Sequence, residues 1–136
     1  MTPTLKQLNA YIRTLKDQLG LKDWEVTYDP NANISEGCKG ECTSAPNRKE
    51  GGICFVDSLW SDTPEFQREA FVHELIHMHT RDARNVGRDL LYDSRILGQG
   101  TYQAVFYALD TALERAVDGI AHSVAVFLPL PPWTKR

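Results

Sequence analysis

The chain has 136 residues, a net charge of −3, 42% hydrophobic residues and 24% charged residues. Those values fit one soluble globular domain large enough to bury a real core. No basic patch with interleaved aromatics disfavours nucleic acid as a partner, and no apolar stretch approaches the length of a membrane span.

Residues 1–128 read as a single domain and residues 129–136 as a proline-rich tail. Met1 to Lys6 show no charged region followed by an apolar run, so no secretory signal is read there and a cytoplasmic setting is expected. Leu5, Leu8, Ile12, Leu15 and Leu19 recur at helical spacing and predict an amphipathic helix. Thr4 with Gln7 can form a capping box at its start, and Gly20 ends it. The seam fits docking on the chain's own core or pairing with a second copy, so a monomer or a homodimer is expected. Trp24 to Tyr28 alternate apolar and polar residues, which predicts a strand, and Asp29 to Asn33 read as a turn or loop. From Glu36 to Ser44 the pattern fits either a loop or a short strand around Cys42. Gly51 and Gly52 introduce Ile53-Cys54-Phe55-Val56, a short apolar run expected to be a strand.

Cys38, Cys42 and Cys54 make an odd count. Without a secretory signal this predicts reduced thiols, with Cys54 in the core. Cys38 and Cys42 lack the second pair that a cysteine–zinc site needs.

Ser61-Asp62-Thr63-Pro64 is a marked helix start, with Thr63 as N-cap, Pro64 at the first helical position and Glu65 in the first turn. Phe66, Ala70, Phe71, Leu75 and Met78 then form an apolar stripe, predicting a helix from Thr63 to about Thr80. That helix carries His73-Glu74-Leu75-Ile76-His77, an H-E-x-x-H sequence. Residues four apart share a helix face, so His73 and His77 can direct two imidazoles at one zinc ion. Glu74, about 100° round the helix from His73, can serve as general base toward a water on that ion. The arrangement implies zinc-dependent hydrolysis of a peptide or protein substrate.

A catalytic zinc needs a third protein ligand. Downstream candidates are His79, Asp82, Asp89, Asp93, Asp110, Glu114, Asp118 and His122. Arg81 to Gly100 is polar, with a short helix expected among Leu90, Leu91, Tyr92, Ile96 and Leu97. It is a natural wall or lid over a cleft, or an ordinary connector. From Thr101 to about Phe127, Tyr102, Val105, Phe106, Leu109, Leu113, Ala116, Val117, Ile120 and Val124 predict a long helix packed on the motif helix. Glu114 is flanked by this stripe and is expected to face inward, where a carboxylate needs a partner or a metal. Asp118, one turn on, can accept a hydrogen bond from the free ring nitrogen of a ligand histidine. For the donor that stabilises the oxyanion, Tyr107 is favoured over His122, Tyr102 and Tyr92. The tail Phe127 to Trp133 cannot continue a helix and is expected to dock through Leu130 and Trp133 rather than serve as a polyproline ligand.

H-E-x-x-H followed on a later helix by E-x-x-x-D resembles the gluzincins, the thermolysin-like branch of the zincin metallopeptidases. The small size resembles minimal gluzincin-type and phage-encoded members. The resemblance covers about Thr63 to Asp118. It implies zinc on His73, His77 and Glu114, Glu74 as base, Asp118 as the residue that orients a ligand histidine, and host cytoplasm if the chain is phage-encoded. It also implies an α+β fold, with a short, mostly antiparallel sheet of two to four strands on an N-terminal helix, the motif helix and a long C-terminal helix. An extended substrate would lie along an edge strand, either Ile53–Asp57 or the strand near Cys42. Leu113 stands where the family has asparagine, and Met78-His79-Thr80-Arg81-Asp82 lacks the metzincin extension. The alternatives are a regulatory or DNA-associated SprT-like protease, which would bring a histidine third ligand or a DNA-binding domain, and a non-catalytic zinc-stabilised structural or interaction module.

Overall fold

The computed structural model describes residues 2–93 and 97–134. Ile96, expected in a short helix, and the side chain of Asp93, a candidate ligand, lie outside the described residues. The fold is α+β, with three helices and a three-stranded sheet. No helix among the described residues is long and apolar enough to cross a membrane.

Helix α1 spans Leu5–Gln18 and opens with the expected capping box of Thr4 and Gln7. Leu8, Tyr11, Ile12 and Leu15 face the core, whereas Leu5 is exposed. The buried seam therefore follows the leucine spacing from Leu8 onward, with Tyr11 added to it and Leu19 packed at its end. Gly20 follows the helix at φ 75°, a left-handed conformation that a glycine adopts without Cβ strain.

The strands are β1 (Glu25–Tyr28), β2 (Gly40–Ala45) and β3 (Glu50–Phe55). Their order is β1-β3-β2, with β1 parallel and β2 antiparallel to β3. The region around Cys42 is thus a strand, and β3 begins before the Gly51–Gly52 pair rather than after it. A Cβ at Gly51 would stand 2.4 Å from the Met78 methyl, so the missing side chain lets the motif helix approach the sheet. Because β3 is central, Ile53–Asp57 is not a free edge. β2 is, which corrects one of the two edge expectations.

Helix α2 covers Pro64–Asp93 and helix α3 covers Gln99–Ala125. The helix expected to stop near Thr80 instead continues through the polar segment. Pairing with α3 sustains it: Arg84 bonds Asp110 and lies 5.1 Å from the Phe106 ring centroid. Gly87 leaves room for Leu109, whose Cδ2 would stand 2.5 Å from an added Cβ. Of the apolar stripe expected along α3 only Val117 is fully buried; Ala121 and Ala125, outside that stripe, are buried beside it, while Val105 and Ile120 are exposed.

The core lies between the sheet, α1 and the first half of α2. Tyr11, Phe55, Trp60, Phe71 and Trp133 form one continuous aromatic cluster. Trp133 enters it from a 3-10 turn at Pro132–Thr134 and donates its indole N–H to Gln67 Oε1 at 2.9 Å. Tyr11 donates its hydroxyl to the Pro129 carbonyl at 2.8 Å, and Arg68 donates to the Leu128 carbonyl at 3.0 Å. The tail therefore docks, with Trp133 and Pro131 as its buried groups and Leu130 half-buried.

Removing the Trp133 ring leaves a cavity and orphans the Gln67 amide oxygen. Trp133→Ala is expected to cost about 3–5 kcal/mol of unfolding free energy, read as a lowered midpoint at unchanged slope in urea denaturation.

Candidate metal centre

α2 presents two chemically different faces. Phe71, Val72, Leu75 and Met78 fix one face in the core. Thr63 Oγ1 accepts the Phe66 N–H at 3.3 Å at the helix start, which sets the helix in register. The opposite face carries His73 and His77, half-buried, toward an open cleft of about 800 Å³ walled by α2, α3 and β2.

α3 crosses that face in the antiparallel sense and supplies carboxylates. The Nε2 atoms of His73 and His77 stand 3.0 Å apart. Glu114 lies 2.9 Å from His73 Nε2 through Oε1 and 3.4 Å from His77 Nε2 through Oε2. These three residues can direct one ligand atom each into a space within which all lie less than 4.8 Å apart, and they form the one such group among the described residues. Tetrahedral coordination with bonds of about 2.0–2.1 Å separates neighbouring donors by about 3.3 Å. The three closest approaches, two of them through different Glu114 oxygens, differ from that value by less than half an ångström, and one donor atom from each residue lies within 4.8 Å of the others, so the cluster has the size and chemistry to hold a zinc-sized cation. Asp118 Oδ1 accepts from His73 Nδ1 at 2.9 Å, which leaves the His73 Nε2 lone pair for the centre.

The electrostatics favour the same use. Burial, reinforced by the adjacent His73, lowers the His77 pKa to about 4, so this imidazole is neutral over the physiological range. Glu74 is 6% exposed. Its burial, followed by the negative charge of Glu114, raises its pKa to about 8. Its carboxylate abuts β2: a Cβ on Gly40 would stand 3.0 Å from Glu74 Oε1 and 2.6 Å from the Phe55 ring. Glycine at position 40 thus lets the strand backbone approach the acid closely.

Several expected placements differ. Glu114 faces the cleft as expected but is not buried; its side chain is 52% exposed, and that of Asp118 is 66% exposed. The cause is the cleft itself, which keeps this side of α3 open to solvent. Tyr107 is 74% exposed and does not line the cleft. Seven residues before Glu114 amount to about 10 Å along the helix, farther than a tyrosine ring reaches back. Tyr92 and Tyr102 pack on each other, His122 pairs with Glu69, and His79 bonds the Leu19 carbonyl at 2.7 Å. None of these four lines the cleft. Asp110 does, but it is engaged by Arg84. The cysteines are free thiols, with Cys42 and Cys54 buried and Cys38 exposed.

Among the cleft residues not singled out from sequence are Arg81 and Gly40. Arg81 lies one turn beyond His77, so helical spacing could have placed it on the same wall. Gly40 carries no sequence signal, because its role comes from the pairing of β2 with β3.

The pKa shifts give a signed expectation for the metal-free protein. Glu74 holds its proton more tightly when folded (about 8 against an ordinary 4.5), so its contribution is full below pH 4.5 and is lost as pH rises through about 8. His77 holds its proton less tightly (about 4 against an ordinary 6.5), so its contribution is full above pH 6.5 and is lost as pH falls through about 4. Between pH 6.5 and 8 the Glu74 effect acts without opposition from His77. In chelator, unfolding free energy is expected to fall over that interval, and Glu74→Gln is expected to flatten the fall.

Comparison with protein-family models, with curated proteins and with solved structures found no match for this chain.

Proposed function

We propose that this chain is a zinc-dependent peptide hydrolase of the gluzincin kind, acting on a peptide or protein substrate inside the cell. The observation that carries this reading is the convergence of His73, His77 and Glu114 donor atoms within 4.8 Å, on a cleft wall that also holds the buried Glu74. His73, His77 and Glu114 would hold the ion, and Asp118 would keep the His73 ring in the orientation and tautomer that ligation needs. Bound there, zinc supplies Lewis-acid polarisation of the scissile carbonyl and makes water a stronger acid.

The protein groups do the rest. Glu74 takes a proton from the attacking water as the new C–O bond forms, and passes it to the leaving nitrogen as the C–N bond breaks. Its raised proton affinity strengthens Glu74 as the base in the first half of that transfer, and the charge of a bound cation would oppose the rise and keep the carboxyl ionised to begin it. β2, the free sheet edge beside Glu74, offers backbone groups to an extended peptide. Free thiols at Cys38, Cys42 and Cys54 suit a reducing compartment.

A zinc site that only holds the fold together is closed by four protein ligands. Three convergent donors on the wall of an open cleft support the catalytic reading over that one. Metal removal separates the two, because the core of α1, the sheet and Trp133 does not pass through the site. Chelation is expected to leave the far-UV circular dichroism spectrum of the protein unchanged, whereas a structural site would unfold.

The direct test uses two variants and casein-type or peptide-library substrates. Glu74→Gln is expected to retain one zinc per chain and lose about 10²- to 10⁴-fold in turnover. His73→Ala is expected to lose the zinc. A wild-type protein that takes up no stoichiometric zinc on reconstitution would overturn the proposal.

A further inference from the structure

The cleft walls carry more charge than the metal centre uses, and two of their four Lys and Arg side chains are ion-paired. Lys39 pairs with Asp62, Arg84 with Asp110, and Glu69 with His122. Glu41 accepts the Ser35 N–H at 2.9 Å, and Glu114 and Asp118 serve the histidines. Among the cleft cations, two have no ion-pair partner among the described residues, Arg81 and Arg115. No carboxylate among the described residues lies within ion-pair distance of Arg81 or Arg115. Arg115 is exposed and solvated. Arg81 is half-buried, on the α2 wall one turn past His77.

Arg81 spends one N–H on the protein. Its Nη2 donates to the Cys42 carbonyl at 3.0 Å, which ties the guanidinium against the edge strand. A guanidinium has five donors in a fixed planar fork, so the group is oriented by that bond and retains donors for a second acceptor. A partly desolvated cation, tied to the edge strand, with the Glu74 carboxyl nearby but no carboxylate within ion-pair distance, is arranged to take one from a ligand.

We propose that the cleft receives peptides bearing a carboxylate, and that Arg81 is the group that binds it, with the peptide lying along β2. This inference rests on the hydrolase reading for its peptide ligand. The carboxylate has two possible sources, an acidic side chain and the C-terminal carboxylate of a short peptide, and the test separates them.

The experiment uses the full chain carrying Glu74→Gln, so that bound peptide is not consumed, both zinc-loaded and metal-free. Calorimetric titration compares acetylated, amidated alanine hexapeptides carrying Glu or Gln at each position in turn. A second pair is an acetylated alanine hexapeptide with a free or an amidated C terminus. The expected result is about tenfold tighter binding of the acidic member of one pair. That preference should weaken with added salt, vanish in Arg81→Gln and persist in part in Arg81→Lys, which keeps the charge without the fork. A Glu preference assigns the site to a side chain, and a free-acid preference assigns it to a chain end. Equal binding within both pairs, no binding by any peptide, or a preference that survives Arg81→Gln would overturn the proposal. Zinc content of the same samples reports the hydrolase reading separately. Zinc bound without an acidic preference defeats this inference alone, and an acidic preference without zinc defeats only the hydrolase reading.

Discussion

The antiparallel contact between α2 and α3 is the interaction on which the site depends, because the donor set is divided between these two helices. Successive turns of one meet successive turns of the other: Glu69 meets His122, His73 meets Asp118, His73 and His77 meet Glu114, and Arg84 meets Asp110. Only the middle rungs form the centre. The outer two fix the register, since sliding α3 by one turn would take Glu114 away from both imidazoles. α2 is in turn immobilised by Phe71, Leu75 and Met78 in the core, and α3 by Val117, Ala121 and Ala125.

The same arrangement separates the roles of the carboxylates. Glu74, on the turn that bridges core and cleft, is buried and holds its proton tightly. Glu114 and Asp118, on the cleft side of α3, stay open to solvent. Burial first, and the Glu114 charge second, thus give Glu74 a raised proton affinity that suits general acid–base chemistry near neutral pH. His77 is kept neutral by the same desolvation, which suits a nitrogen ligand.

Much of this was legible in the chain. The capping box of α1, the start of α2 at Pro64 and the spacing of His73 and His77 are local signals, and local signals survive folding. The course of α3 was readable from its apolar period, and Glu114 and Asp118 do meet the histidines. What escaped the reading depends on contacts distant in sequence. The pattern around Leu90 to Tyr92 predicts a short separate helix, but α2 runs unbroken through Arg81 to Asp93, where Arg84 and Gly87 pack on α3. β2 has weak alternation and owes its extended form to pairing with β3. Tyr107 shares a helix face with Glu114 on a wheel but lies two turns away along the axis. The openness of the cleft, which leaves Glu114 half-exposed, follows from how the sheet, α2 and α3 are arranged in space.

The central claim is that two imidazoles and the Glu114 carboxylate enclose one zinc ion. The zinc K-edge X-ray absorption spectrum of the reconstituted protein tests it most directly. The account predicts a first shell of nitrogen and oxygen at about 2.0–2.1 Å, with imidazole multiple scattering and loss of the carboxylate contribution in Glu114→Ala. A sulfur shell at about 2.3 Å, drawn from the cysteines, or a spectrum indifferent to position 114 would contradict it.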